Sequence, residues 1–198
     1  MNNYKQKSEL LQKILIDNNV NGFEAPGGTD KATDHSYTDV YEKLFSKYLN
    51  KKINFLEVGT YKGGSMILWH EFMPDAYFDF VDIQNNVHHS VLSKLNSDRY
   101  TFHTVNAYTQ ESADAIAGDK KYSIAVDDGP HTLESFKLFI QLYIPKMEKD
   151  GIMVIEDIQS FDWINTLQSV TPDGYKSEVI DLRHLKNRYD DILYVIYT

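Results

Sequence analysis

The chain of 198 residues is 42% hydrophobic and 25% charged. That is the composition of a folded domain with a core, and it excludes collagen-like and long disordered chains. Cysteine is absent, so thiolate nucleophiles, disulfide frameworks and thiolate metal sites are excluded, and any metal must be held by oxygen or imidazole ligands. The formal net charge of −9 argues against a nucleic-acid partner, and it fits a neutral or cationic substrate, a divalent-cation site or simple solubility.

The N-terminal stretch is too polar for a signal peptide, and no apolar run approaches the ~20 residues of a membrane span. A soluble, cytoplasmic protein with no membrane partner is expected. Leu10, Leu11, Ile14 and Leu15 predict a short amphipathic helix over 8–18. Gly22, Pro26, Gly27 and Gly28 mark 18–36 as a linker or lid. Val40, Tyr41, Leu44, Phe45, Tyr48 and Leu49 mark a second helical face. Residues 1–50 thus form an N-terminal part of helices and lid, and 51–198 form the core of a single domain.

Within that core, apolar runs at 53–59, 77–83, 100–106, 122–128, 151–158, 176–183 and 191–198 predict strands. Helical spacing appears at 65–72, more weakly at 87–95, and again at 109–117 and 132–147. This alternation predicts an α/β fold with a mainly parallel, Rossmann-like sheet and helices on both faces. The last two strands have about seven residues between them, too few for a crossover helix, so that pair is expected to be antiparallel.

Ligands of such sheets bind beyond the carboxyl ends of the strands. The first strand ends in Leu56-Glu57-Val58-Gly59-Thr60-Tyr61-Lys62-Gly63-Gly64-Ser65. Its glycines allow close backbone approach, and the following helix presents free N–H groups. The second strand ends at Asp82, which with the glycine turn in place is read as accepting hydrogen bonds from ribose hydroxyls, a plain loop carboxylate being the alternative. NAD enzymes and S-adenosylmethionine (SAM) methyltransferases share both features. The spacing Gly59-x-x-x-Gly63-Gly64 departs from the G-x-G-x-x-G that cradles a pyrophosphate. Glu57 would repel a pyrophosphate but suits the amino group of methionine, so SAM is favoured over NAD.

The fourth strand ends in Asp127-Asp128-Gly129-Pro130-His131 and the fifth in Glu156-Asp157. One acidic pair at a strand end is commonly a helix cap or a solvated loop. Two pairs on neighbouring strands repel each other unless a cation or protonation intervenes. Hard oxygen ligands point to Mg²⁺, with Mn²⁺ or Ca²⁺ as alternatives. A lone histidine is more often structural than catalytic. Beside a metal, His131 is placed to act as a general base on a polarised hydroxyl. No serine follows a nucleophile-elbow pattern.

With Gly28-Thr29-Asp30-Lys31, His35 and Tyr37 added to these motifs, the chain resembles the Mg²⁺- and SAM-dependent sugar O-methyltransferases of macrolide-sugar and rhamnosyl type. The resemblance runs from about Gly28 to Ile158. It implies a class I methyltransferase fold, with Asp128, Glu156 and Asp157 as metal ligands and His131 as base. It also implies that 29–37 is a lid. The expected cofactor-binding set is Thr29, Lys31, Glu57, Gly59, Tyr61, Gly63, Ser65, Asp82, Asn106 and Asp127. There are departures: Pro130 replaces the family's serine, Asn106-Ala107-Tyr108 replaces an acidic residue near the adenine, and a helix and lid stand where the larger macrolide-sugar enzymes carry an additional N-terminal domain.

The expected acceptor is a sugar hydroxyl, on a deoxysugar such as rhamnose in a glycan or glycoside, with a homo-oligomer left open. The alternatives are a catechol-type O-methyltransferase, a non-catalytic SAM- or sugar-binding module, an NAD oxidoreductase and a non-haem iron hydroxylase. The iron enzyme normally wants two histidines, and the acidic cluster offers only His131. Tyr37, Tyr61, Trp69 and Trp163 are candidate pocket aromatics, with Trp69 expected in the core.

Overall fold

The computed structural model describes residues 9–198. The first predicted residue of the N-terminal helix, Ser8, lies outside them. Helix α1 (Glu9–Asp17) buries Leu11, Ile14 and Leu15, and α2 (Thr38–Phe45) buries Val40, Tyr41 and Phe45. The core then alternates as predicted: β1 (Asn54–Val58), α3 (Gly64–Phe72), β2 (Tyr77–Asp82), α4 (His89–Leu92), β3 (Tyr100–Thr104), α5 (Gln110–Ala117), β4 (Tyr122–Asp127), α6 (Leu133–Tyr143) and β5 (Met147–Ile155). It closes with α7 (Ile164–Val170), β6 (Lys176–Asp181), α8 (Arg183–Lys186) and β7 (Ile192–Tyr197).

The seven strands form one sheet in the order β3-β2-β1-β4-β5-β7-β6. β7 runs antiparallel to both β5 and β6, and the other pairings are parallel. The expected Rossmann-like sheet with its antiparallel last pair is therefore present. One face packs against α1, α2 and α3, with Trp69 fully buried as expected. The other packs against α5, α6 and α7.

Several boundaries differ from the sequence reading. Helix α6 stops at Tyr143, where a 3₁₀ turn, Ile144–Lys146, carries Pro145 near its start; proline supplies no N–H for a continuing helix. β5 begins at Met147, which pairs with Tyr122 of β4; the register then shifts past the polar residues Glu148, Lys149 and Asp150, and pairing resumes between Ile124 and Ile152. The weak helix over 87–95 narrows to the four residues of α4, capped by the His88 side chain. Residues 159–175, where the apolar pattern predicts no element, hold α7, which buries only Ile164 and Leu167.

Strand alternation decides where the site residues point. On β1, Phe55 belongs to the α1–α3 face and Leu56 and Val58 to the other. Glu57 therefore shares the face of Phe55, under α3. On β4 and β5, Val126 and Val154 lie on the α1–α3 face. Two residues on, Asp128 and Glu156 leave the sheet on that same side.

Candidate active site

A cavity of about 550 Å³ opens at the carboxyl ends of β1, β2 and β4. Gly59, Tyr61 and Ser65 from the glycine turn line it, as do Asp82 and Asn106 beyond β2 and β3. Thr29 enters from the lid, and Asp128, His131 and Asp157 form its acidic end. Nine of the expected site residues thus meet in one place, while Glu57, Lys31, Gly63, Asp127 and Glu156 do not line the cavity.

The turn is built by backbone geometry. Gly59 has φ of 88°, and a Cβ there would land on the Asp128 carbonyl and come to 2.9 Å from the Gly129 nitrogen. Gly64 opens α3, and a Cβ on it would press on Gly27 and Gly28 and lie 2.6 Å from the Thr29 nitrogen. The lid therefore rests directly on the start of α3. Asp82 accepts hydrogen bonds from the Thr60 and Tyr61 amides at 3.1 and 2.9 Å, and from the Gln84 amide at 3.1 Å. It ties the glycine turn to the end of β2. Phe23 of the lid stacks on Tyr61 at the cavity rim, with ring centroids 5.1 Å apart.

Glu57 does not reach the cavity. It accepts hydrogen bonds from the Ser65 hydroxyl at 2.8 Å and the Trp69 indole at 2.9 Å, completely buried beneath α3. Burial pushes its carboxyl up to about 7, against the opposing pull of Lys31. Asp127 faces the opposite side of the sheet, where it accepts from the Tyr108 hydroxyl and, at 3.2 Å, from the Gly129 amide. Burial raises it too, to about 7.

At the acidic end, ligand atoms of Asp128, His131 and Asp157 all lie within 4.8 Å of one another. His131 Nε2 is 3.1 Å from Asp128 Oδ1, and its Nδ1 is 3.4 Å from Asp157 Oδ2. Both His131 and Asp157 adopt left-handed backbone, with φ of 52° and 56°. That conformation costs roughly 1–2 kcal/mol for a residue with a Cβ, and strain of this kind collects at functional sites. Burial opposes protonation of His131, but the bond to Asp128 and the charges of Asp128, Asp157 and Glu156 outweigh it and raise the imidazole to about 9. Burial and the neighbouring Asp128 raise Asp157 to about 6.

Glu156 is turned away from this trio. Both its oxygens accept from the Lys31 ammonium, at 2.6 and 2.7 Å, and Oε1 also accepts from the Tyr41 hydroxyl. Lys31 also reaches Asp128 Oδ2 at 2.7 Å. The structure thus places Lys31, expected in the cofactor-binding set, among the carboxylates and not in the cavity wall. Burial works against the Lys31 charge, yet Asp128 and Glu156 hold its pKa well above the ordinary lysine value. Asp157 is steadied by the Tyr37 hydroxyl, and the buried His35 lies 3.3 Å from it. Tyr37 and Tyr41 read in the sequence as an aromatic and a helix-face residue; only their position in the fold reveals hydroxyls aimed at carboxylates. Of the other candidate aromatics, Tyr61 lines the cavity, and Trp163 packs on Phe136.

Two carboxylates and an imidazole at this separation suit a hard or borderline divalent cation. Asp128 and Asp157 face the cavity as the expected ligand set requires, whereas Glu156 would have to exchange Lys31 for the ion.

A family model described as a methyltransferase domain matches residues 56–158, more than half of the chain. The chain belongs to this methyltransferase-domain family. The matched stretch runs from the glycine turn to the Asp157 loop. Over 171 residues the chain is 26% identical to 8-demethyl-8-alpha-L-rhamnosyl tetracenomycin-C 2'-O-methyltransferase of Streptomyces olivaceus, covering 80% of this chain and 42% of that protein. It is 27% identical over 141 residues to mycinamicin VI 2''-O-methyltransferase of Micromonospora griseorubida, covering 65% of this chain and 33% of that one. The MycE methyltransferase of the mycinamycin biosynthetic pathway, solved in complex with Mg and SAH, superposes with a TM-score of 0.59 at 25% identity, over 74% of this chain and 36% of that one. The chain spans well under half the length of each of these relatives.

Proposed function

We propose that this methyltransferase-family chain moves a methyl group from SAM to a sugar hydroxyl, with a divalent metal at Asp128 and Asp157 and with His131 as the base. The observation that carries the reading is the joining of one cavity's two ends: a glycine turn with Asp82 at one, and Asp128, His131 and Asp157 at the other. The relatives named as sugar O-methyltransferases support the acceptor class. Asp82, held by the turn amides, would accept from the ribose hydroxyls of SAM, and Thr29 and Tyr61 would cover the cofactor.

A divalent cation at the acidic end would supply charge that polarises an acceptor hydroxyl and offsets the carboxylates that now keep His131 protonated. Mg²⁺ or Mn²⁺ fits the donor set, with Glu156 as the third ligand once it leaves Lys31. His131, gripped between Asp128 and Asp157, takes the hydroxyl proton. The acceptor oxygen forms the new C–O bond as the C–S bond of SAM breaks, leaving S-adenosylhomocysteine. His131 has left-handed backbone, and its imidazole lies against Asp128.

Methyl transfer to rhamnosides, followed by mass spectrometry with and without Mg²⁺, tests the proposal. Asp128→Asn is expected to lose metal-dependent turnover while retaining S-adenosylhomocysteine binding. Wild-type turnover by Asp128→Asn would overturn the metal assignment.

A further inference from the structure

Two acidic residues at the end of β5 and one beyond β4 need a positive charge among them, and the chain supplies one. Lys31 has no exposed surface, and its ammonium lies 2.7 Å from Asp128 and 2.6 and 2.7 Å from the two oxygens of Glu156. A buried ammonium with three charged contacts is worth keeping only where its partners are otherwise uncompensated. Asp128 and Glu156 are two of the three acids in the proposed ligand set. An ammonium and a divalent ion therefore compete for the same carboxylates.

The competitor is not carried by the sheet. Lys31 sits in the lid, where its carbonyl accepts from the Tyr37 amide at 3.0 Å and the preceding Thr29 amide donates to the Val20 carbonyl at 2.9 Å. The lid lies on the start of α3 and contributes Thr29 to the cavity wall. One segment thus both covers the cavity and holds the charge that fills the acidic end.

We infer that Lys31 is a tethered counter-ion of the metal-free site: it neutralises Asp128 and Glu156 so that the chain folds without metal, and it opposes entry of a divalent cation. The inference rests on the metal reading above. Metal loading then frees Glu156 from Lys31 and couples the metal to the lid. A lysine serving packing alone would leave metal affinity unchanged when removed.

The test is Mn²⁺ binding to wild type, Lys31→Met and Lys31→Gln by calorimetry, with melting temperatures in chelator and in saturating Mn²⁺. No SAM or acceptor is present. Removing a unit charge a few ångströms from a divalent ion predicts binding tighter by about tenfold or more. In chelator the variants are expected to melt roughly 6–20 °C below wild type, as a broken buried ion pair requires in a chain of this size. Mn²⁺ should raise their melting temperatures more than that of wild type. Variants that fold only when Mn²⁺ is added give the same result in its extreme form.

Folded variants that bind Mn²⁺ no more tightly than a wild type that does bind it would overturn this inference and leave the metal reading standing. Failure of both variants to fold even in Mn²⁺ would also overturn it. Silence from wild type and folded variants alike would remove the metal reading, and this inference with it.

Discussion

Gly59→Ala separates the energetic cost of the glycine turn from that of ordinary left-handed backbone. Gly59 has φ of 88° and Gly174 has φ of 93°, so alanine pays a comparable conformational cost at both, roughly 1–2 kcal/mol. Around Gly174 nothing lies within 4 Å of an added Cβ, whereas at Gly59 the Cβ meets the Asp128 carbonyl and the Gly129 nitrogen at 2.9 Å. Ordinary contact begins at 3.4 Å, so the β4 loop must retreat. That retreat strains the Asp128 amide bond to the Val58 carbonyl, 2.8 Å long. Overpacking costs about 1–3 kcal/mol, and a weakened buried backbone bond about 1 more. Gly59→Ala is thus expected to lose about 3–6 kcal/mol, against about 1–2 for Gly174→Ala. Urea unfolding of both variants, read with S-adenosylhomocysteine affinity, provides the assay. Equal stability losses, with binding intact in Gly59→Ala, would refute the reasoning, because the two ends of the cavity would then not be held against each other at this contact.

Other outcomes follow from the same geometry. Asp79 is buried and accepts from His103 at 2.8 Å, from Tyr122 at 2.9 Å and from Lys120. Burial pushes its carboxyl up, but these hydrogen bonds and the Lys120 charge outweigh it and hold the pKa below the usual value. Its stabilisation is therefore present above the unfolded carboxylate range and fades as pH falls through the lowered folded value. Asp79→Asn should flatten the acid limb of a stability–pH curve measured by urea unfolding; an unchanged limb would show that the network contributes nothing there. Asp82→Ala frees the Thr60 and Tyr61 amides, and calorimetry should find S-adenosylhomocysteine binding weakened by about tenfold or more, the equivalent of one charge-assisted contact. Tyr41→Phe removes the hydroxyl that donates to buried Glu156 and should cost about 1–3 kcal/mol in thermal unfolding, with a neutral result showing that Lys31 alone satisfies the carboxylate.

The sheet was readable because each strand interior is an apolar run between turn residues, as in Phe55 through Val58 and Ile152 through Ile155, and because the short gap before β7 permits only an antiparallel return. Helix α7 escaped notice since two buried residues carry no period. At the start of β5 only Met147 is buried; Glu148, Lys149 and Asp150 are polar and exposed, and Asp150 is held by the hydrogen bond of its amide to the Thr198 carbonyl and not by burial of an apolar face. Glycine spacing and paired acids pointed to loops that the fold brings around one cavity. Alternation across the sheet then decided which acid faced which side. It turned Glu57 under α3 and Asp127 towards Tyr108, away from the cavity. The Lys31 contacts were beyond the reach of spacing altogether, since their partners lie 97 and 125 residues away. Nothing local marks a lysine in a glycine-rich lid as the counter-ion of two distant strand ends.

The most direct test of the account is a calorimetric titration of the chain with S-adenosylhomocysteine, with and without Mg²⁺, using NAD as the control. The account predicts saturable binding of S-adenosylhomocysteine and none of NAD. Failure to bind S-adenosylhomocysteine in either condition would contradict it.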